Sequence, residues 1–315
     1  MTFNICITGA AGHVGKVVSR AALAKGHRVF GVDLQASSGV SESDKYNYKQ
    51  LDVRDDSALK TAMKEQGCDA MIHLAAALNN HNSVHKGKDW TESDIHNINT
   101  SMSYGILRAS SELGIKRVVQ ASSVNAIGMR WLFLSFVVSP AQSLTDPFTV
   151  GSNPPTFDYL PLDENHPLRP QAAYDLSKQI CEVQADAFAR KYPWMRIASL
   201  RYHWVVDSSL FNLETLHKRG GEPKDLWGYI SEKDTAEATL LGLTAPEVTF
   251  ANGHEAFFIV APVQHQQAAT IPLIDKWYPN AEKRREWKGN EGLYDCRKAK
   301  RLLGWEAKEY FPWFP

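Results

Sequence analysis

The chain has 315 residues, 43% of them hydrophobic, and its 35 basic and 35 acidic side chains cancel to a formal net charge of zero. Length and composition allow one large domain, or a nucleotide-binding domain with a smaller appendage, while the charge balance removes any bulk-charge case for nucleic acid. Four cysteines, Cys6, Cys68, Cys181 and Cys296, stand far apart with no CxxC pair, which argues against a disulfide framework or a cysteine zinc site and fits a reducing compartment.

Taken in chain order, residues 3–8 read as a buried strand and 12–24 as the helix after it. Strands follow at 28–33 and 48–52, a helix at 56–64 and a strand at 69–75. A long amphipathic helix at 94–113 closes at Gly114. A strand at 117–122, a helix at 173–191 and a strand at 196–202 continue the alternation. Such alternation is the pattern of an α/β fold, a parallel sheet with helices on both faces. Beyond about residue 205 the pattern loosens, with helices at 232–243 and 298–303 and a strand at 256–261. We therefore expect two parts: residues 1–205, and a smaller, partly discontinuous substrate-side lobe over 206–315. The longest apolar run, 131–138, is too short to span a bilayer, and the opening residues lack a basic region followed by a long apolar stretch. The expectation is a cytoplasmic protein with no membrane or nucleic-acid partner.

Gly9, Gly12, His13, Val14 and Gly15 lie between the first strand and the first helix. Glycines there permit a tight turn, close approach of backbone to a pyrophosphate, and close helix–strand packing. The helix N-terminus offers unpaired N–H donors to the anion. A merely structural glycine turn is the plain alternative, but the strand–turn–helix setting favours dinucleotide binding. Asp33 ends the second strand. A carboxylate there accepts hydrogen bonds from both ribose hydroxyls and repels a 2′-phosphate, which favours NAD over NADP; the plain alternative is an Asp capping a turn. Asp52 and Val53, at the end of the third strand, are placed to meet the adenine edge. The fold expected is thus a Rossmann-like doubly wound parallel sheet with a small C-terminal substrate lobe.

A Tyr and a Lys four residues apart lie on one helix face, where the ammonium can turn a phenol of pKa about 10 into a usable base. Three such pairs occur: Tyr174/Lys178, Tyr229/Lys233 and Tyr294/Lys298. Spacing does not choose among them.

Together these residues resemble an extended short-chain dehydrogenase/reductase of the NAD-dependent epimerase/dehydratase type. Beyond the Gly9–Gly12–Gly15 spacing, Asp52-Val53-Arg54-Asp55 resembles the adenine-side motif. His73-Leu74-Ala75-Ala76 resembles the run lining the cofactor, Asn99 the helix residue bracing the active site, and Ala121-Ser122-Ser123 the strand with the catalytic hydroxyl. The resemblance implies that Tyr174, following the Ser strand and preceding the Arg201 strand, is the general acid/base. It implies that Lys178 binds the nicotinamide ribose and lowers the Tyr174 pKa, and that Ser123 hydrogen-bonds the reacting oxygen, with Ser122 the alternative. It further implies that Leu74, Ala75, Ala76, Asn99 and Tyr202 line the NAD site, and that Ser122, Asn125 and His203 touch substrate. A homodimer through the helices 94–113 and 173–191 belongs to the same implication. The chemistry is coherent: Tyr takes the hydroxyl proton as hydride leaves the same carbon. A packed His203 and a helix-surface Tyr174 are the plain alternatives.

Three departures bear on the reading. Relatives that bind nucleoside-diphosphate sugars often carry an Asn shortly after the sixth strand, where this chain has Arg201-Tyr202-His203-Trp204. They also often carry a diphosphate-contacting Arg near the place of Trp227. Both differences favour a sugar-like hydroxyl substrate without a diphosphate, such as a free sugar, uronic acid or polyol. The stretch from Ser123 to Tyr174 is about twice the expected length, with the excess at 130–155. It reads as a lid or interface loop, an unstructured insertion, or a segment foreign to the functional product. His81 and His85 have metal-ligand spacing without a third ligand, so no metal is expected. Arg284-Arg285 reads as a solvated face. An NAD-dependent oxidoreductase or epimerase is the leading expectation, with a nucleotide-sugar epimerase or dehydratase and a non-catalytic NAD-binding sensor as alternatives.

Overall fold

The computed structural model describes residues 1–41, 43–78, 90–129, 156–207 and 223–311. The segment 130–155 and the His81/His85 pair lie outside the described residues. Seven strands form the main sheet: β1 (Asn4–Thr8), β2 (Arg28–Asp33), β3 (Tyr46–Gln50), β4 (Ala70–His73), β5 (Arg117–Ser123), β7 (Arg196–Tyr202) and β10 (His254–Ile259). All pairings are parallel and the order is β10-β7-β5-β4-β1-β2-β3. The chain leaves β1 for β2 on one side and later starts β4 on the other. A crevice therefore opens beyond the C-terminal ends of β1 and β4, the place where such sheets bind ligands.

Helices α1 (His13–Ala24), α2 (Asp56–Glu65), α3 (Glu92–Glu112), α4 (Ala173–Lys191) and α5 (Glu232–Thr244) cover the two faces. Local sequence explains their starts. Asp55 caps α2 by accepting from the Ala58 N–H, Thr91 and Asp94 form a reciprocal capping box on α3, and Ser231 accepts from the Asp234 N–H on α5. On one face Val18, Ala22, Leu240 and Leu243 pack against Ile5, Ile7, Ile72, Val119 and Leu200. On the other, Leu59, Met63, Ile106, Leu107 and Ala185 pack against Cys6, Met71, Val118 and Ile197. Alternate residues of each strand feed opposite layers, and each fully buried Ile or Leu contributes roughly 1.5–3 kcal/mol relative to exposure.

The expected elements are present, most within two residues of their bounds. Position 205 is not a clean boundary: α5 and β10, which the sequence reading gave to the C-terminal lobe, complete the sheet domain. The reason is packing, since α5 closes the face above β5 and β7, and β10 covers the open edge of β7. What remains apart is a third cluster of Phe157, Leu160, Leu226, Trp227, Phe258, Tyr278 and Trp287. Leu160 of the short strand β6 (Tyr159–Leu160) and Ile274 of helix α6 (Thr270–Trp277) belong to it with Phe258 of β10, and the exposed strand β11 (Glu282–Lys283) pairs with β6. Strands β8 (Val205–Val206) and β9 (Ile230–Ser231) pair beside it, and α7 (Arg297–Leu303) is the last helix among the described residues.

Candidate active site

The loop after β1 is held from two sides. Gly9 has φ of 73°, and a Cβ there would stand 2.6 Å from the Ala75 nitrogen, so the Leu74–Ala75 backbone presses directly on it. At Gly15 a Cβ would stand 2.1 Å from the Gly9 oxygen. Gly12 is the N-cap of α1, with no side-chain cap and no acidic residue in the first turn. The N–H groups of this twelve-residue helix thus face the crevice for an anion. Asp33 receives the Ala11 N–H at 3.1 Å and the Gln35 N–H at 3.2 Å. Its carboxylate therefore sits at the lip of the same loop with lone pairs to spare. The arrangement fits a dinucleotide: backbone donors for a pyrophosphate and an acid for a ribose. Val14 is partly buried against the first core cluster, while His13 is half exposed, its Nε2 3.4 Å from Glu232. Asp52 lies beyond β3, in a two-point pair with Arg54, and Val53 is buried in the second core cluster.

Asn99, buried on α3, ties the crevice together. Its Oδ1 accepts from the Ala77 N–H at 2.7 Å, and its Nδ2 donates to the Ala77 carbonyl and to Ser177 Oγ, both at 3.1 Å. It thereby couples the loop carrying Leu74, Ala75 and Ala76 to α4, one turn past Tyr174. His73, ending β4, shares a 2.7 Å hydrogen bond with Thr8 Oγ1. Burial, aided by the Lys178 charge, pushes its pKa down to about 3, so the ring is neutral.

Ser123, Tyr174 and Lys178 come together at the C-terminal end of β5. The Ser123 Oγ accepts from the Asn125 N–H at 3.1 Å, and its hydroxyl favours ionisation of the Tyr174 phenol. The buried Lys178 Nζ donates to the Ala121 carbonyl at 2.7 Å and lies 5.5 Å from the Tyr174 ring centroid. Burial pushes the phenol pKa upward, Asp175 adds to this, and the Ser123 bond opposes it. Burial lowers the Lys178 pKa in turn.

The other two Tyr/Lys pairs do not form sites. Tyr229 is buried and accepts the Phe311 N–H, while Lys233 reaches Glu309; Tyr294 donates to the Asp225 carbonyl, while Lys298 pairs with Glu255.

Three expected contacts are relocated. Ser122 points away from the crevice and donates to Glu182 at 2.6 Å. Glu182 also holds the buried Arg201 through bonds of 2.9 and 2.7 Å. The two-residue period was the available signal: Val118, Gln120 and Ser122 face α3 and α4. Tyr202 is buried in the first core cluster, with its hydroxyl 2.7 Å from Thr239 on α5. His203 accepts the Trp204 N–H on Nδ1 and donates from Nε2 to the Asp225 carbonyl at 2.9 Å; both ring nitrogens are engaged, and it packs where substrate contact was expected. Trp227 is fully buried, and both it and Leu226 have left-handed backbone, with φ of 54° and 56°. Among the described residues no cluster of His, Cys, Asp and Glu could hold a metal, and no helix is long and apolar enough to cross a membrane.

Two residues of the site were missed from sequence. Glu182 anchors Arg201, and Asp175, 2% exposed, faces Asn125 beside Tyr174. Neither belongs to a spacing pattern.

The family model described as "NAD dependent epimerase/dehydratase family" matches residues 5–206. A dTDP-6-deoxy-L-talose 4-dehydrogenase (NAD(+)) of Aggregatibacter actinomycetemcomitans is 25% identical over 211 residues, 66% of this chain and 64% of that protein. An L-arabinose 1-dehydrogenase (NAD(P)(+)) of Haloferax volcanii is 28% identical over 204 residues, 64% of this chain and 67% of that protein. The chain thus spans about two thirds of the length of these relatives. Among solved structures, a UDP-glucose-4-epimerase from Stenotrophomonas maltophila with bound NAD and formylated UDP-arabinopyranose superposes with a TM-score of 0.66 at 18% identity, covering 98% of this chain and 94% of that one, which speaks for the fold alone.

Proposed function

The chain belongs to the NAD-dependent epimerase/dehydratase family, and from that premise we propose that it moves hydride between a sugar-like secondary alcohol, or its carbonyl form, and NAD, with Tyr174 as the acid/base. What supports this reading is the placing of Ser123, at the C-terminal end of β5, with Tyr174 and Lys178 of α4, whose Nζ lies 5.5 Å from the Tyr174 ring and donates to the Ala121 carbonyl. Bound NAD supplies the hydride acceptor. Gly9, Gly12 and Gly15 would hold its pyrophosphate against the α1 N-terminus, and Asp33 would take the adenosine ribose. Ser123 aligns the substrate oxygen and stabilises the phenolate of Tyr174. Tyr174 takes the hydroxyl proton in oxidation and returns it to the carbonyl oxygen in reduction. Lys178, at the Ala121 carbonyl, has its ammonium 5.5 Å from the Tyr174 ring, where a positive charge favours the phenolate.

The substrate we favour lacks a diphosphate, because Trp227 is a core side chain and His203 is tied to the Asp225 carbonyl. The Haloferax relative, named for L-arabinose, supports this class. A nucleotide sugar is the second reading, supported by the name of the Aggregatibacter relative. The deciding experiment incubates the purified protein with NAD and a panel of free sugars, uronic acids and nucleoside-diphosphate sugars. NADH formation identifies a dehydrogenase, and isomer formation without net NADH identifies an epimerase. Turnover of nucleotide sugars alone would replace the first reading with the second.

A further inference from the structure

We propose that residues 305–311 form a strap that holds the first turn of α5 against the glycine loop, with Asp234 and Glu232 as positioning residues, and that the strap slows release of the dinucleotide. After α7 and the left-handed turn at Gly304, these residues form neither helix nor strand, so their backbone donors need partners from elsewhere. Asp234, 2% exposed in the first turn of α5, serves two of them. Its carboxylate accepts the Lys308 N–H at 3.0 Å and the Glu309 N–H at 2.9 Å, while its own carbonyl accepts the Trp305 indole N–H at 3.0 Å. Trp305 is buried in the first core cluster, and Ala307 packs against that cluster. The far end is held by Tyr229, whose hydroxyl accepts the Phe311 N–H at 2.8 Å. Two largely exposed ion pairs, Lys308–Glu237 and Lys233–Glu309, add little. The buried carboxylate is therefore the main anchor, because charge-assisted hydrogen bonds are the strong ones.

The turn that anchors the strap also touches the dinucleotide loop. Glu232, its first residue, lies 3.4 Å from Nε2 of His13, which follows the N-cap Gly12 and opens α1. Behind this contact α1 and α5 pack together, with Val18 and Ala22 in one cluster with Ala236 and Leu240 and with Val14 against it. The inner face of α5 is fastened to the sheet, where Thr239 Oγ1 meets the Tyr202 hydroxyl at 2.7 Å. Residues two apart in a helix point to different sides, so this turn is gripped between the loop at Glu232 and the strap at Asp234. A strap that lets go frees Glu232 to leave His13. The first turn of α1, whose N–H groups face the phosphate site, then loses a support. The strap thereby sets how long the cofactor stays between hydride transfers.

The inference rests on the glycine loop binding NAD and not on the role of Tyr174, and its first readout needs no cofactor. Hydrogen–deuterium exchange of the full-length protein follows two sets of amides. One is Lys308 and Glu309; the other is Gly12 and Lys16, bonded to the Gly9 and Gly12 carbonyls. NADH bound to the same protein is then chased with excess NAD, and the change in its fluorescence gives the dissociation rate. Asp234→Ala should speed exchange in both sets and speed NADH release about two- to fivefold, the worth of one partly exposed pair. Glu232→Ala should speed release equally but leave Lys308 and Glu309 protected. The double variant should release NADH no faster than either single one, because both act through one contact. Asp234→Asn, which keeps an accepting oxygen, should fall between wild type and Asp234→Ala. A merely structural strap would loosen the tail without moving the Gly12 and Lys16 amides or the release rate. That result overturns the proposal, as do additive effects in the double variant. Should Asp234→Ala not fold, Glu232→Ala decides alone, and an unchanged release rate overturns the proposal. Absent NADH binding by wild type is a failure of the cofactor reading; binding with a release rate that no variant moves is a failure of the strap alone.

Discussion

The Lys178 ammonium donates to the carbonyl of Ala121 at 2.7 Å, fastening α4 to β5. The bond fixes the turn of α4 that carries Tyr174, so the phenol meets Ser123 at the end of the strand. The site is assembled by a strand–helix clamp.

Removing the phenol oxygen tests the acid/base assignment. Tyr174→Phe should lower turnover by about 10²–10⁴-fold while NAD affinity, measured calorimetrically, stays near wild type. Tyr229→Phe should leave chemistry intact, since its hydroxyl serves the Phe311 backbone. Undiminished turnover in Tyr174→Phe would remove Tyr174 from the mechanism.

The glycine loop predicts a graded response. Gly15→Ala places a Cβ 2.1 Å from the Gly9 oxygen, where only backbone can yield; at Gly12 the nearest atom is 3.2 Å away. We expect Gly15→Ala to weaken NAD binding on the order of tenfold or more and Gly12→Ala to cost less. Equal affinity for both variants, by the same calorimetry, would mean that the loop is not the pyrophosphate cradle.

Glu182 and Arg201 are a buried ion pair, with side chains 7% and 4% exposed. Breaking it strands a charge in the core, so Glu182→Gln or Glu182→Leu should lower unfolding free energy by about 3–5 kcal/mol in urea titration. A loss below about 1 kcal/mol would show that Arg201 finds another partner. Arg201 Nη1 already lacks a hydrogen bond, which makes that outcome unfavourable.

Stability should fall with pH on account of Asp175. Its folded pKa of about 8 lies above the unfolded value near 3.9, so its favourable contribution is complete below pH 4 and is lost as pH rises through 8. Between these values the unfolded chain ionises first, and the accumulated loss is on the order of 4 kcal/mol by pH 7. The melting-temperature advantage of Asp175→Asn over wild type should therefore widen from pH 5 to pH 8 and then level off. An advantage constant across that window would contradict the shift.

A homodimer is proposed through the outer face of α4. Leu176 and Val183 are 40% and 51% exposed, Ile180 and Ala187 fall on the same stripe, and Tyr104 of α3, 49% exposed, is a further large exposed side chain for the same surface. Wild type should sediment as a dimer, and the double substitution Leu176→Glu with Val183→Glu as a monomer. A monomeric wild type sinks the proposal.

The alternation of apolar runs, glycine turns and amphipathic stretches determined the parallel sheet and the glycine turn between β1 and α1 from sequence, because these depend on period, turn geometry and neighbours in the chain. Asn99 and the choice of Tyr174 over Tyr229 and Tyr294 came from motif order. Direction and pairing did not. Whether Ser122 or Ser123 faces the crevice follows from strand parity once β5 has a register, and Tyr202 turns to Thr239 because α5 packs on that face. The Glu182–Arg201 pair, the engaged ring of His203 and the buried Asp175 depend on groups brought from distant strands and helices into one low-dielectric space. Sequence sets which side chains exist and how they repeat; only tertiary packing decides which are desolvated together, and desolvation is what moves a proton.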